Sequence, residues 1–164
     1  MIATGPGRVN QETGFKYPIP VNVGDVVSYG KFTGEDVTFD GAKHSLISDF
    51  DVMVRFRDGN SDSLEDAEVL WDAVLVKVNK EKEDKSKGSS GLLIASTSKS
   101  KKKKSTVGTV VKVGKGQYAN NGALMEMDVQ TGDMVKFRDF STEELQIGKE
   151  DFAVVRMRDI LAKF

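Results

Sequence analysis

Residues 24–56 lie on residues 132–164 at a constant offset of 108, without a gap. Gly24 and Asp25 fall on Gly132 and Asp133, Val27 on Val135, Phe32 on Phe140, Glu35 on Glu143, Asp51 on Asp159 and Phe56 on Phe164. Whatever one segment builds, the other must build too, so the chain is two copies of one unit rather than a single mixed fold. The register continues upstream with one residue of slippage, placing "MIATGPG" at 1–7 over "VVKVGKG" at 110–116 and pairing Gly5 with Gly114 and Gly7 with Gly116. The copies are unequal. The second is preceded by a long stretch, from "WDAVLVKV" to "TVGTVV", that the first lacks.

Both copies read as short strands punctuated by glycine: "VGDVVSYGKF", "DVTF", "HSLI" and "DVMVRF", then "DAVLVKV", "VGTVVKV", "GDMVKF", "ELQI", "FAVVRM" and "ILAKF". These runs are rich in valine and aromatics, and several alternate at period two, as Val74, Val76 and Val78 do against Leu75 and Lys77. The pattern predicts an all-β chain. Only "SLEDAEVLW" at 63–71 could pass for a helix, and it follows the turn-rich "RDGNSD" at 57–62, so residues 57–70 read as a linker with one helical turn at most. With 164 residues and 38% apolar content, two small units can each bury a core.

Charge and composition exclude several classes of function. The 24 lysines and arginines against 25 acids leave no global field to draw in nucleic acid or anionic lipid. Without cysteine and with one histidine, neither a thiol nucleophile nor the usual zinc ligand sets are available. No apolar run approaches the roughly 18 residues that would cross a bilayer as a helix. His44 falls on Phe152 in the repeat, which makes it a strand position and not a ligand. "GKGQYANNG" at 114–122 lacks the Lys-Ser/Thr and the helix of a phosphate cradle. The paired acids Glu143–Glu144 and Glu65–Asp66 have no candidate nucleophile or base beside them in the sequence. There is no catalytic constellation, and the chain reads as a binding protein and not an enzyme.

In order and spacing, "DAVLVKV" at 72–78, the glycine-flanked "GLLI" at 91–94, "VGTVVKVGKG" at 107–116, "TGDMVKF" at 131–137 and "RDILAKF" at 158–164 resemble the chaperonin 10 (GroES) co-chaperonins. "IATGPG", "VGDVVSYGKFTGEDVTFDG" and "SDFDVMVRF" match the later part of the same pattern. Two modules in one chain look like the tandem co-chaperonins of chloroplasts and other plastids. The resemblance implies two irregular GroES-like β-barrel modules: a partial first over 1–56 and, after the 57–70 linker, a complete second over 71–164 with a mobile loop at 84–106. It also implies a plastid stroma location (mitochondrial matrix or cytoplasm as alternatives), a chaperonin 60 (GroEL-type) ring as partner, and oligomerisation with itself or other co-chaperonin subunits. Membrane is not implied as a partner, nucleic acid is disfavoured, and no cofactor is expected, ATP and Mg being used by the chaperonin. Tyr118 to Met127 becomes the hairpin that roofs the folding chamber, matched in the first copy by "RVNQETGFKYPIP".

The segment "GSSGLLIASTSKSKKKKS" at 88–105 then acquires a role. Flanked by "EKEDKSK" and "SKSKKKKS", it is too charged and too poor in apolar residues to repay the entropy of ordering. Leu92, Leu93 and Ile94 would be buried by a partner's groove, with Gly91 beside them, and Gly88 and Gly91 would be hinges where the loop leaves the barrel and bends. The bland alternative is that the tripeptide is a buried strand. Lys101 to Lys104 read as a solubilising flank; the competing function is a small β-barrel that binds nucleic acid through residues 99–104.

In this family, resemblance implies that modules join when the last strand of one pairs with the first strand of the next. Here that predicts pairing of "DVMVRF", with Val52 and Val54, onto "DAVLVKV", with Val74 and Val76, and an open counterpart edge at Ile160 and Leu161. The first copy begins at Met1 already past the place of its own first strand and loop, so the expectation is an N-terminally incomplete tandem chain that folds its second module well and its first poorly, and does not close a ring alone.

Overall fold

The computed structural model describes residues 1–31, 33–59, 61–78, 106–138 and 142–164. Among these the structure is all-β, with only single 3-10 turns such as Asp49–Asp51, Arg57–Gly59 and Met157–Asp159 as helical elements. The first copy supplies β1 (Val26–Tyr29), β2 (Glu35–Phe39), β3 (Ala42–Leu46) and β4 (Val52–Phe56). Then follow β5 (Ala67–Val69), β6 (Ala73–Val78), β7 (Val107–Val113), β8 (Met134–Phe137), β9 (Glu143–Ile147), β10 (Glu150–Arg156) and β11 (Ile160–Lys163). They form a six-stranded sheet in the order β11-β8-β7-β6-β10-β9, a three-stranded sheet β1-β4-β5, and the β2-β3 pair.

The offset of 108 is visible in the geometry. β1 pairs with β4 as β8 pairs with β11, with the same register and the same bulge: Val27 faces Arg55 as Val135 faces Lys163, and the irregularity lies between Ser28 and Tyr29 in one and between Ile160 and Ala162 in the other. β2 and β3 meet across Asp40-Gly41, both at positive φ (50° and 73°), as a two-residue hairpin turn requires. Their counterparts β9 and β10 meet across Gly148-Lys149. Gly24 donates to Met1 O at 3.0 Å as Gly132 donates to Val110 O at 2.8 Å, so the chain's first residues run where the second half of β7 runs in the second copy. The one-residue slippage lies in a turn. Val9 bridges Lys16 in one copy and Tyr118 bridges Leu124 in the other, so the first hairpin carries the extra residue at its tip.

Two layers of apolar side chains flank β6. Val74 and Val76 face Val110, Val135, Phe137, Ala153 and Val155, which fill the second module. Ala73 and Leu75 face the opposite way, toward Phe152, Val154, Ile147 and the β4–β5 residues Val54, Phe56, Ala67 and Val69. A strand buried on both faces belongs inside a sheet, and both edges of β6 are taken, by β7 and β10.

That arrangement corrects two expectations. Val52 and Val54 do not pair with Val74 and Val76, because β4 instead pairs with β5: Val54 with Val69, Arg55 with Glu68 and Phe56 with Ala67. Nor is 57–70 only a connection: it contributes β5, and Ala67, Val69 and Leu70 are buried. The last-strand-to-first-strand junction is present, with 67–69 as the first strand.

Candidate functional site

β6 and β7 run antiparallel up to Val78 opposite Gly108, so residues 79–105 connect the ends of adjacent strands. Gly91, Leu92, Leu93, Ile94, Gly88 and Lys101 to Lys104 belong to that connection and lie outside the described residues. Its base is closely built. A Cβ on Gly108 would stand 2.5 Å from Lys77 O, so only glycine allows the strands to approach there. Thr106 O accepts from Phe137 N at 2.9 Å, and its hydroxyl accepts from Lys136 Nζ. The connection over 79–105 is therefore joined at both ends to a fixed pair of strands.

The two tip hairpins touch. Thr13 Oγ1 donates to Asn120 O at 2.8 Å, the Phe15 and Tyr118 rings are 5.5 Å apart, and a Cβ on Gly122 would meet Phe15 at 2.6 Å. Below them an aromatic seam joins the copies. Phe50 stacks on Trp71 at 4.9 Å, and the Arg8 guanidinium lies 3.6 Å over Phe50 while bonding Asp49 at 3.2 Å. Trp71 has a φ of 53°, a costly conformation for a bulky residue. It is held there by Gly116 N donating to Trp71 O and by Trp71 Nε1 donating to Asp49 O, each at 2.9 Å.

The junction between β4 and β5 is tied by charge as well as by its ladder. Arg55 donates to Glu68 Oε2 from Nη2 at 2.7 Å and from Nε at 3.1 Å, while Arg57 reaches the same oxygen at 2.9 Å. Arg55 also bonds Pro20 O and lies 3.8 Å from the buried Asp25 carboxylate. Lys112 Nζ donates to Glu65 O at 3.0 Å and Ala67 O at 2.8 Å, fastening β5 to β7. Arg55, Arg57, Glu68 and Lys112, which make the network's side-chain bonds, were not among the residues singled out from sequence. The available signal was the repeat itself, in which Asp25 and Arg55 fall on Asp133 and Lys163.

Partial burial raises the pKa of Glu68, but hydrogen bonds and attraction from Arg55 and Arg57 outweigh it and hold the carboxyl below the ordinary glutamate value. Because the folded-state pKa is below the unfolded one, the stabilisation is present above the unfolded pKa of about 4.3 and is lost as pH falls through the folded value. The stability gap between wild type and Glu68→Gln is thus expected to be largest near neutrality and to close in acid. Urea titrations of both proteins from pH 7 downward measure it, and a gap that is constant with pH would contradict the pairing.

Of the outer-edge residues, Ile160 is half-buried against the barrel core, whereas Leu161 is 55% exposed and Phe164 is 74% exposed. Their counterparts Met53 and Phe56 are 6% and 1% exposed beneath the β5 junction.

The model of the family described as "Chaperonin 10 Kd subunit" matches residues 1–56 and 66–164. The chain belongs to the chaperonin 10 family. The matched segments flank residues 57–65 and start the second module one residue before β5, in agreement with two tandem GroES-like modules. The chain is 29% identical over 163 residues to the 20 kDa chloroplastic chaperonin of Spinacia oleracea, covering 99% of this chain and 60% of that protein. The corresponding Arabidopsis thaliana protein is also 29% identical, over 164 residues. The co-chaperonin GroES of Lactobacillus helveticus is 42% identical over 93 residues, 57% of this chain and 93% of that one. This chaperonin 10 chain thus spans about three-fifths of its chloroplast relatives and nearly all of a single-module one.

Proposed function

We propose that this protein is a co-chaperonin that caps the chamber of a chaperonin 60-type ring in the plastid stroma, gripping it with Leu92, Leu93 and Ile94 and assisting ATP-dependent folding by the partner. One observation carries the reading: in a chain of this family, the segment joining the ends of a fixed strand pair has those three as its only large apolar residues. The chloroplast names of the 20 kDa relatives support the location.

One such grip is weak once the ordering of its loop is subtracted. A ring of grips meeting a ring of grooves holds by effective concentration, and each contact remains easy to release. Assembly with other co-chaperonin subunits is part of the proposal, through the outer edge of β11.

The test is co-sedimentation of the purified chain, alone and mixed with complete co-chaperonin subunits, with a chaperonin 60 ring in ATP or ADP. Nucleotide-dependent capture supports the reading, and failure in both mixtures contradicts it. Changing Lys101 to Lys104 together to glutamine is expected to alter the affinity by less than about tenfold, since exposed charges contribute only about 0–1 kcal/mol each and are screened by salt. A larger, salt-sensitive loss would make the lysines a contact surface. Retention on single-stranded nucleic acid at moderate salt, abolished by the same change, would instead favour the nucleic-acid reading.

A further inference from the structure

β11 and β4 are the same strand in two settings. Each pairs with its inner neighbour in one register with one bulge, and each places a basic side chain at the matched position, Arg55 or Lys163. The basic groups have matched partners as well. Arg55 bonds Pro20 O and lies 3.8 Å from Asp25 Oδ2; Lys163 Nζ donates to Asp128 O at 2.9 Å and lies 3.5 Å from Asp133 Oδ2. Pro20 and Asp25 lie 108 residues before Asp128 and Asp133.

The difference is on the outer side. β4 is covered there by β5, with Glu68 against Arg55, the small Ala67 opposite Phe56 and Val69 opposite Val54. Among the described residues no strand lies outside β11. The Lys163 side chain is 49% exposed, where that of Arg55 is 11% exposed.

From this comparison we infer that the outer edge of β11 selects an antiparallel strand of pattern small-acidic-β-branched, its acid opposite Lys163, carried by the opening strand of another chaperonin 10 module. The inference rests on the proposed assembly with other co-chaperonin subunits and adds the determinant by which a neighbour is chosen. Phe164 needs a small residue across from it, as Phe56 has Ala67. Ala162 takes the β-branched residue, as Val54 takes Val69. The acid completes a pair whose other side already has its backbone carbonyl and its carboxylate. A lysine in the acid's place would bring like charges together at a partly desolvated edge, which is how charged positions reject wrong partners.

The β4–β5 connection supplies a probe. Appending a copy of residues 57–70 after Phe164 of the full chain presents a second β5 to β11 through the same connecting length that presents β5 to β4. Met53 O accepts from Leu70 N at 2.8 Å, so Met53 and, by alternation, Arg55 turn their backbones to β5; Leu161 and Lys163 are their counterparts. With the natural extension, amide exchange at Leu161 and Lys163 should slow by at least about tenfold. The protection should fall by at least about fivefold when the appended copy of Glu68 is made lysine, and return when that extension is combined with Lys163→Glu. Lys163→Gln, which removes charge without repulsion, should give equal protection with either extension. Equal protection by acidic and basic extensions on the wild-type edge would overturn the inference, as would no protection with either. Nucleotide-dependent capture by chaperonin 60, measured on the unextended chain, decides the co-chaperonin reading separately.

Discussion

Replacing Leu92, Leu93 and Ile94 together by serine is expected to abolish binding to a chaperonin 60 ring while leaving β content and thermal melting unchanged. Burying three aliphatic side chains yields about 1.5–3 kcal/mol each, or about 4–9 kcal/mol gross, from which the ordering of the loop is subtracted. Since that difference is small for one loop, removing the apolar part leaves nothing favourable. In an assembly the loss multiplies over the engaged loops. Co-sedimentation reads the binding, and circular dichroism with a thermal scan reads the fold. Unfolding of the triple variant would show instead that the tripeptide is part of a core.

The second large effect separates two phenylalanines that the repeat makes equivalent. Phe56→Ala is expected to destabilise the chain by about 3–5 kcal/mol, the usual cost of emptying a buried aromatic site. Its ring is 1% exposed and shares a cluster with Leu75, Phe152, Ile147 and Val154 of the second module, so the loss is felt by both copies. Phe164→Ala, at a side chain 74% exposed, is expected to change stability by no more than about 0.5 kcal/mol in dilute solution. Urea unfolding of the two variants provides the comparison, and equal midpoints would mean that β4 does not pack on the second module.

The repeat made much of the fold legible, because a fixed offset carries strand, turn and bulge together. Gly24 with Gly132, the hairpins at 40–41 and 148–149, and the paired edge strands all follow from it. The junction was harder to read. "AEV" at 67–69 is too short for a periodic signal and sits among Glu65, Asp66 and Asp72, so its local composition is that of a turn. Only tertiary pairing with β4 makes it a strand. The run "AVLV" at 73–76 did contain the correction, since near-continuous apolar residues mark an interior strand with no edge left for β4. The Glu68 network was illegible for a related reason: an acid on a surface-like segment becomes a partner of Arg55 only once the strands are aligned. The residues proposed to grip show the opposite limit, because their signal lies in composition and family register, while residues 79–105 fall outside those described.

The seam between the copies also has an optical consequence. Trp71 is the chain's single tryptophan, 5% exposed, with Phe50 of the first copy stacked on its face and Tyr118 of the second 6.3 Å away edge-on. Its indole N–H is committed to Asp49 O, a carbonyl of the first copy. Indole emission shifts to the red when the ring meets water, so the fluorescence of this chain gauges whether its two halves are in contact, without any label. Excited at the indole band, the protein should emit at short wavelength while the seam is closed, and should redden as the halves part even if the second barrel's interior remains packed.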